Sequence, residues 1–110
     1  MSRRAHKQAA RFQRVCAVTG QRGPFHPHHV VREQDVRYLD PHDPRNALRL
    51  NPGVHWNHHH ATERIPLICL TDDNLAFAYE EFGPAAYEYL RRHYAGEDAR
   101  VTVSGWEPRI

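Results

Sequence analysis

The sequence predicts one small domain of the α+β class, with a core of strand, loop, strand and helix and with further helices flanking it on both the N-terminal and the C-terminal side. Three observations lead to this prediction: a length of 110 residues, apolar positions that first alternate and then recur at helical spacing, and Pro and Gly at the boundaries. Hydrophobic residues make up 40% of the chain and charged residues 25%, as in folded globular proteins. The apolar runs are short, so we expect no membrane contact and a cytoplasmic location.

Two strands are predicted to form the sheet. Over residues 25–31 a Val-Val pair favours an extended chain, and Pro27 keeps the residue before it out of a helix. Over residues 46–50, Leu48 and Leu50 alternate as in a strand with one buried face. The other segments of the first half are predicted as a strand over 15–19, a turn over 20–24 and a loop with one helical turn over 32–45.

Three helices are predicted in the second half. The first begins at Asn51 and Pro52, because Asn is a good N-cap and Pro suits the first helical position, and it ends before Pro66. Thr71 caps the second helix, and the Gly-Pro pair at 83–84 ends it. Apolar residues at helical spacing are assigned to packing, namely Leu75, Ala78, Tyr79 and Phe82 in the second helix and Ala86, Tyr87, Leu90 and Tyr94 in a third that stops at Gly96. Residues 67–70 are a connector or short strand, and the tail from Glu97 onward is expected to be loosely held.

Charge is divided unevenly along the chain. Residues 1–50 contain ten Lys and Arg against four Asp and Glu, whereas residues 51–110 contain five against nine. The first fourteen residues have five cations and no acid, which predicts a basic arm, helical or loose, that meets a polyanion or is simply solvated. Cys16 and Cys69 lie far apart with no CxxC partner, so both are interpreted as buried free thiols in a reducing compartment.

The ten histidines are the unusual feature of the composition. On the predicted first helix, His55 and His59 are one turn apart and face the same way, a standard arrangement for holding a transition metal. His58 competes for that role, and a surface helix with solvated histidines is the alternative. In a strand, His28 and His29 point to opposite sides, so one can bind a metal while the other activates water.

Asn46 stands nine residues before His55 and just before the second predicted strand. From there it can reach the first strand and hold His29, because a histidine that acts as a base needs a partner on its other ring nitrogen. The alternative is a turn residue that makes only backbone hydrogen bonds.

Taken together, these residues resemble the HNH endonucleases, which have a ββα-metal fold, also called the His-Me finger. The resemblance is carried by His28-His29, the segment 43–50 with Asn46, and the pair His55 and His59. The same HH…N…H…H order is similar to that of bacterial DNase colicins and of small HNH proteins of phages. It implies a single HNH nuclease domain over 1–110, with its core at about 13–61, the basic arm at 1–14 and a C-terminal helical extension at about 71–95.

The resemblance implies a metal-dependent DNA endonuclease that hydrolyses phosphodiester bonds, with nicking and double-strand cutting both open. His28, His55 and His59 are then the ligands of one divalent ion, His29 is the general base and Asn46 its orienting residue. Mg²⁺ or Mn²⁺ is expected for activity, while Zn²⁺ or Ni²⁺ can occupy the site. The implied partners are the DNA backbone, contacted by Arg45 or Arg49, and, for a phage-encoded chain in a bacterial host cell, phage packaging proteins.

The chain departs from the family at its cysteines. Many members of that family carry two CxxC pairs that bind a structural zinc. Here Thr19 stands where the second cysteine of the first pair would be, three residues after Cys16, and the second pair would fall on Asn51 and Val54. We therefore expect one metal, in the histidine site alone. Three alternatives remain at this level: a non-catalytic DNA-binding or packaging-accessory module with an HNH shape, a structural metal-binding domain, and a histidine-rich metal-storage protein.

Overall fold

A two-stranded antiparallel sheet and the helix that follows it form one side of the molecule, in a computed structural model that describes residues 15–102. The strands are β1 (His26–His29) and β2 (Ala47–Leu50), and the helices are α1 (Pro52–His59), α2 (Asp72–Phe82), α3 (Ala86–His93) and α4 (Ala99–Thr102). Short 3-10 turns occupy Glu33–Asp35, Pro44–Asn46, Leu67–Cys69 and Gly83–Ala85. The α+β class is thus confirmed, while the predicted basic arm at 1–14 lies outside the described residues.

The sheet turns one face of β2 into the core, as the alternation of Leu48 and Leu50 predicted. These two side chains are buried, and Arg49 between them is exposed. In the register of the sheet, His28 lies opposite Leu48 and His26 opposite Leu50. The sheet therefore fixes the distance between the histidines of β1 and the start of α1.

Helix α1 begins where it was predicted and spans eight residues. The Asn51 Oδ1 accepts a hydrogen bond from the Val54 N–H at 2.8 Å, and Pro52 is the first helical residue. The helix ends before Pro66, as predicted, and its last residue is His59, because Ala61 adopts a left-handed conformation with φ 56°. The next two N–H groups turn back to the Asn57 carbonyl, so the chain folds back along the helix.

The C-terminal helices supply much of the core. Thr71 and Asn74 form a reciprocal capping box at the start of α2, and Gly83, with φ 65°, ends that helix. The fully buried apolar side chains include Phe77, Leu90, Ile65, Leu67, Leu50, Val30 and Val31. Within residues 15–102, no helix has the length and apolar character needed to cross a membrane.

Two local predictions are corrected by the structure. Val15 makes only an isolated bridge with Arg22, and no strand spans 15–19 because Cys16 bonds the Gln21 and Gly20 backbones to close a turn. The tail is ordered at least to residue 102: Val101 is buried, and Arg100 donates to the Leu70 carbonyl at 2.8 Å.

Three buried polar side chains, Asn46, Asn74 and Glu81, hold the loop between the strands, and we call them the loop clamp. The Glu81 carboxylate accepts from the N–H groups of residues 37, 38 and 39 at 2.7 to 3.1 Å. The Asn74 Nδ2 donates to the carbonyl of Arg45 at 2.7 Å. These hydrogen bonds all join a side chain of the loop clamp to a backbone group, so the loop clamp fixes the path of the loop.

Candidate metal centre

Three histidines converge where β1 meets α1, and we call them the metal cluster: His28, His55 and His59. One ring nitrogen of each lies within 4.8 Å of the others, an arrangement that can hold a metal ion. The Nε2 atoms of His55 and His59 are 3.0 Å apart. The three residues that the sequence singled out as ligands are therefore brought together, two by helical spacing and one by the sheet.

The donor set of the metal cluster fits an imidazole-bound ion. Two ligands at 2.0–2.1 Å from a tetrahedral metal lie about 3.3 Å apart, close to the 3.0 Å between His55 and His59. Burial, followed by the neighbouring His58, lowers the pKa of His28 to about 3, and burial also lowers the pKa of His55. Both rings are neutral at pH 7, which is the form that binds a metal.

Tyr94, at the end of α3, fixes the ring of His28. The Tyr94 hydroxyl donates to the Val30 carbonyl at 2.7 Å, and its oxygen lies 2.8 Å from the His28 Nε2. Since the hydroxyl has only one proton, His28 must donate through Nε2, which leaves the lone pair on Nδ1. Such outer partners set the tautomer and direction of metal-binding histidines. The sequence placed Tyr94 in the packing stripe of α3, which missed this role.

His26 is the corresponding neighbour of His55. Their Nδ1 atoms are 3.1 Å apart, so the His55 Nδ1–H can donate to His26 while its Nε2 faces His59. With the bond in that direction, His55 has the tautomer that a ligand bound through Nε2 needs. His26 had no role in the sequence interpretation, because only the register of β1 on β2 brings it to α1.

His58, the competitor to His59, has a different partner. Its Nδ1 accepts a hydrogen bond from the Ile65 N–H at 3.0 Å, and its ring stacks on Tyr94 with centroids 5.0 Å apart. Burial, followed by His59, lowers its pKa to about 4. His58 therefore holds the returning chain against α1, and its Nδ1 lone pair is already used.

His29 lies apart from the rings of the metal cluster. It is half-buried, and its ring contacts His42 with centroids 5.1 Å apart. It is still close enough to be one of the charges that act on His28, after burial and the other histidines. His42 is the ring neighbour that sequence reasoning left without a role.

Asn46 is fully buried and its amide bonds to backbone. Its Oδ1 accepts from the Val31 N–H at 2.8 Å, and its Nδ2 donates to the carbonyls of Val31 and Pro41 at 3.0 Å each. Asn46 was predicted to hold His29, but it bonds instead to the backbone of Val31, two residues after His29, and of Pro41. Asn46 therefore fixes the backbone that follows His29.

The two arginines named as phosphate contacts differ in what they touch. Arg45 makes ion pairs with Asp43 at 3.1 Å and Glu80 at 2.7 Å, so its guanidinium is already occupied. Arg49 is exposed and stacks over Phe25 at 5.6 Å.

A pocket of about 150 Å³ opens beside the metal cluster. Its walls come from β1, α1, the returning segment and the end of α3, and no acidic residue lines it. The lining residues are His28, Val30, Arg32, His58, His59, Ala61, Arg64, His93 and Tyr94. A ligand in this pocket would contact the metal cluster on one side and cationic side chains on the other.

Hydrogen bonds connect the turn that contains Cys16 to the start of α1. Burial raises the pKa of the Cys16 thiol, but hydrogen bonds from Thr19 and the Asn51 backbone lower it by more. Asn51 in turn accepts from the Val54 N–H. Cys16, Thr19, Asn51 and Val54 are therefore neighbours in space.

Comparison of this chain with protein-family models, with curated proteins and with solved structures finds no match. The functional interpretation therefore depends on the geometry and chemistry of the metal cluster and of its pocket.

Proposed function

We propose that this chain is a metal-dependent DNA endonuclease, a phosphodiester hydrolase with a ββα-metal core of the HNH type over about residues 13–61. The observation that carries the proposal is the convergence of His28 from the sheet with His55 and His59 from the next helix. A metal site beside an open pocket without carboxylates suits an anionic substrate, and the phosphodiester backbone of DNA is such a substrate.

The corner at Cys16 supports the same proposal independently. In a ββα-metal core with a structural zinc, two CxxC pairs must meet, and here the matching positions Cys16, Thr19, Asn51 and Val54 do meet. A triple variant, Thr19→Cys with Asn51→Cys and Val54→Cys, is expected to bind a second metal ion through four thiolates. Titration with Co²⁺ tests this, because thiolate ligands give an intense charge-transfer band that histidine ligands do not. A folded triple variant without that band would contradict the ββα-metal assignment.

The residues of this chain would divide the chemistry as follows. His28, His55 and His59 hold one divalent ion, which when bound stabilises negative charge on the phosphate and on the leaving oxygen. His29 takes a proton from the attacking water as general base. Asn46 keeps the backbone after His29 in place through its paired bonds with Val31. Zn²⁺ or Ni²⁺ binds an all-imidazole set tightly, and Mg²⁺ or Mn²⁺ is the proposed working ion.

Cleavage of supercoiled plasmid tests the proposed function. The protein is stripped with chelator, supplied with Mg²⁺, Mn²⁺, Zn²⁺ or Ni²⁺ in turn, and nicked and linear products are separated. The variant His29→Ala is expected to lose at least about 100-fold in rate while it keeps its metal affinity. His60→Ala, which alters an exposed histidine of the same helix region, is the matched control.

Two results would contradict parts of this proposal. Wild-type protein that cuts no DNA with any of the four ions contradicts the endonuclease assignment, and DNA binding without cutting would favour the non-catalytic module. A His29→Ala variant that cuts at the wild-type rate removes His29 from the role of base but leaves the metal site as proposed.

A further inference from the structure

One side of the pocket beside the metal cluster consists of Arg32, Arg64 and His93. We call it the cationic wall after its two guanidinium groups, because burial, followed by Arg32, lowers the pKa of His93. These residues come from three separate parts of the chain: the segment after β1, the segment that returns from α1, and the end of α3. None belongs to the HH…N…H…H pattern. Because no carboxylate lines the pocket, the positive charge of this wall is not compensated within it.

Arg64 is held in place by one contact. Its Nη1 donates to the Arg92 carbonyl near the C-terminal end of α3 at 2.7 Å, where a cation is favourable. The next residue, Ile65, is buried and bonds to His58, which anchors the backbone. A guanidinium has five N–H donors, so Arg64 keeps several for an acceptor in the pocket. Its charge is among those that, after burial, lower the pKa of both His58 and His93.

Arg32 is oriented by a carboxylate outside the pocket. Its Nε donates to Asp35 at 2.7 Å, and Tyr89 bonds the same carboxylate oxygen at 2.8 Å. Using Nε for this contact leaves the two terminal nitrogens for a second acceptor. The guanidinium is therefore fixed in direction while part of its donor set remains available.

We propose that the pocket is a phosphate-binding subsite, in which one phosphate group lies between the cationic wall and the metal cluster, with Arg64 as its main protein contact. Three imidazoles contribute no negative charge, so a divalent ion on them keeps its full charge and attracts the same oxyanion that the arginines attract. Planar guanidinium groups match the oxygens of a phosphate. The natural ligand would be a phosphate of the DNA backbone, and in that respect alone this inference rests on the proposed function.

Binding of inorganic phosphate to the Co²⁺-loaded protein at pH 7 tests the subsite without any cleavage. Imidazole ligands bind Co²⁺, and its unpaired electrons broaden the phosphorus NMR signal of a phosphate held nearby. The variant Arg64→Gln is expected to weaken phosphate binding by about tenfold or more, because a hydrogen bond between charged groups is lost. Arg91→Gln is the matched control, since Arg91 is an exposed cation of α3 that contacts Tyr87 outside the pocket.

The outcomes separate the subsite from the proposed function. Broadening that Arg64→Gln reduces and Arg91→Gln does not supports the subsite, whether or not the protein cuts plasmid. Equal phosphate affinity in wild type and Arg64→Gln overturns it, even if plasmid is cut, because phosphate then binds to the metal alone. Equal losses in both variants also overturn it, since they would reflect only the overall charge.

Discussion

The loop clamp and the metal cluster are both groups of polar side chains that the fold buries in whole or in part, yet they differ in what satisfies them. Asn46, Asn74 and Glu81 bond almost entirely to backbone groups of the loop and the strand ends. The histidines of the metal cluster bond mainly to one another and to Tyr94. A side chain whose hydrogen bonds go to backbone groups stabilises the fold and has no donor or acceptor left for a ligand. Ring nitrogens that face each other can instead exchange that contact for a metal ion.

The largest effect is expected when a residue of the loop clamp is removed, because the fold itself then loses stability. Glu81→Ala leaves three backbone N–H groups without their acceptor, and we expect it to lower the free energy of unfolding by about 3 kcal/mol. Urea denaturation measures the loss. Glu80→Ala, which alters an exposed neighbour paired with Arg45, is the control and should cost much less. A stable Glu81→Ala protein would show that the clamp does not hold the loop.

The converse variant removes a ligand and leaves the fold. We expect His55→Ala to weaken metal affinity by more than about 100-fold, beyond the loss of an outer partner, because one of three donors is missing. Competition with a chromophoric chelator measures the affinity, and His60→Ala serves as control. Unchanged affinity would exclude His55 from the ligand set.

Acid should affect the metal-free protein through its buried imidazoles. The pKa of His28 is about 3 in the folded chain, below its ordinary value of 6.5, so the unfolded chain binds the proton more readily. The stability contributed by the neutral ring is complete above pH 6.5 and is lost as pH falls from there toward 3. We expect a loss of about 2 kcal/mol between pH 7.5 and pH 5 from this group. Urea denaturation at both values checks it, and equal stabilities would mean that His28 titrates normally.

Tyr94 combines the two kinds of contact, because its hydroxyl bonds both the backbone carbonyl of Val30 and the ring of His28 in the metal cluster. Tyr94→Phe keeps the ring that stacks on His58 but removes the hydroxyl. We expect about a tenfold loss of metal affinity, as His28 loses its tautomer partner, and a loss of about 1 kcal/mol in stability. Calorimetry of metal binding and urea denaturation give the two values. Full affinity in this variant would show that His28 is oriented by other contacts.

The smallest effect is expected at His26, which is exposed. His26→Ala removes the acceptor for the His55 Nδ1–H, and water can replace it in part. We expect a loss of metal affinity of a few-fold, below that of Tyr94→Phe, with no change in stability. A loss as large as that of His55→Ala would instead indicate that His26 is itself a ligand.

The metal cluster was predictable because its signals are local. The spacing of His55 and His59 on one helix face, with Asn51 and Pro52 to start the helix, needs no tertiary information. His28 required only that its strand pair with the next one. Metal identity, DNA and cleavage remain predictions.

The partners of the ligands were not predictable, because they depend on contacts between distant parts of the chain. Tyr94 reaches His28 across 66 positions, and at helical spacing it is indistinguishable from a packing residue. Glu81 likewise sits in an acidic pair on α2, and only the path of the loop shows that it, and not Glu80, is buried. The end of α1 depends on Ala61, a residue with no intrinsic preference for a left-handed conformation.

The bond between Tyr94 and His28 also makes the metal cluster depend on a distant part of the chain. His28, His55 and His59 all precede α2, whereas the partner of the His28 Nε2 follows α3. The same segment pairs Ala95 with Ile65, which closes the chain around His58. A fragment that ends at α1 would therefore keep all three histidines of the metal cluster but lose the contact that sets the tautomer of His28.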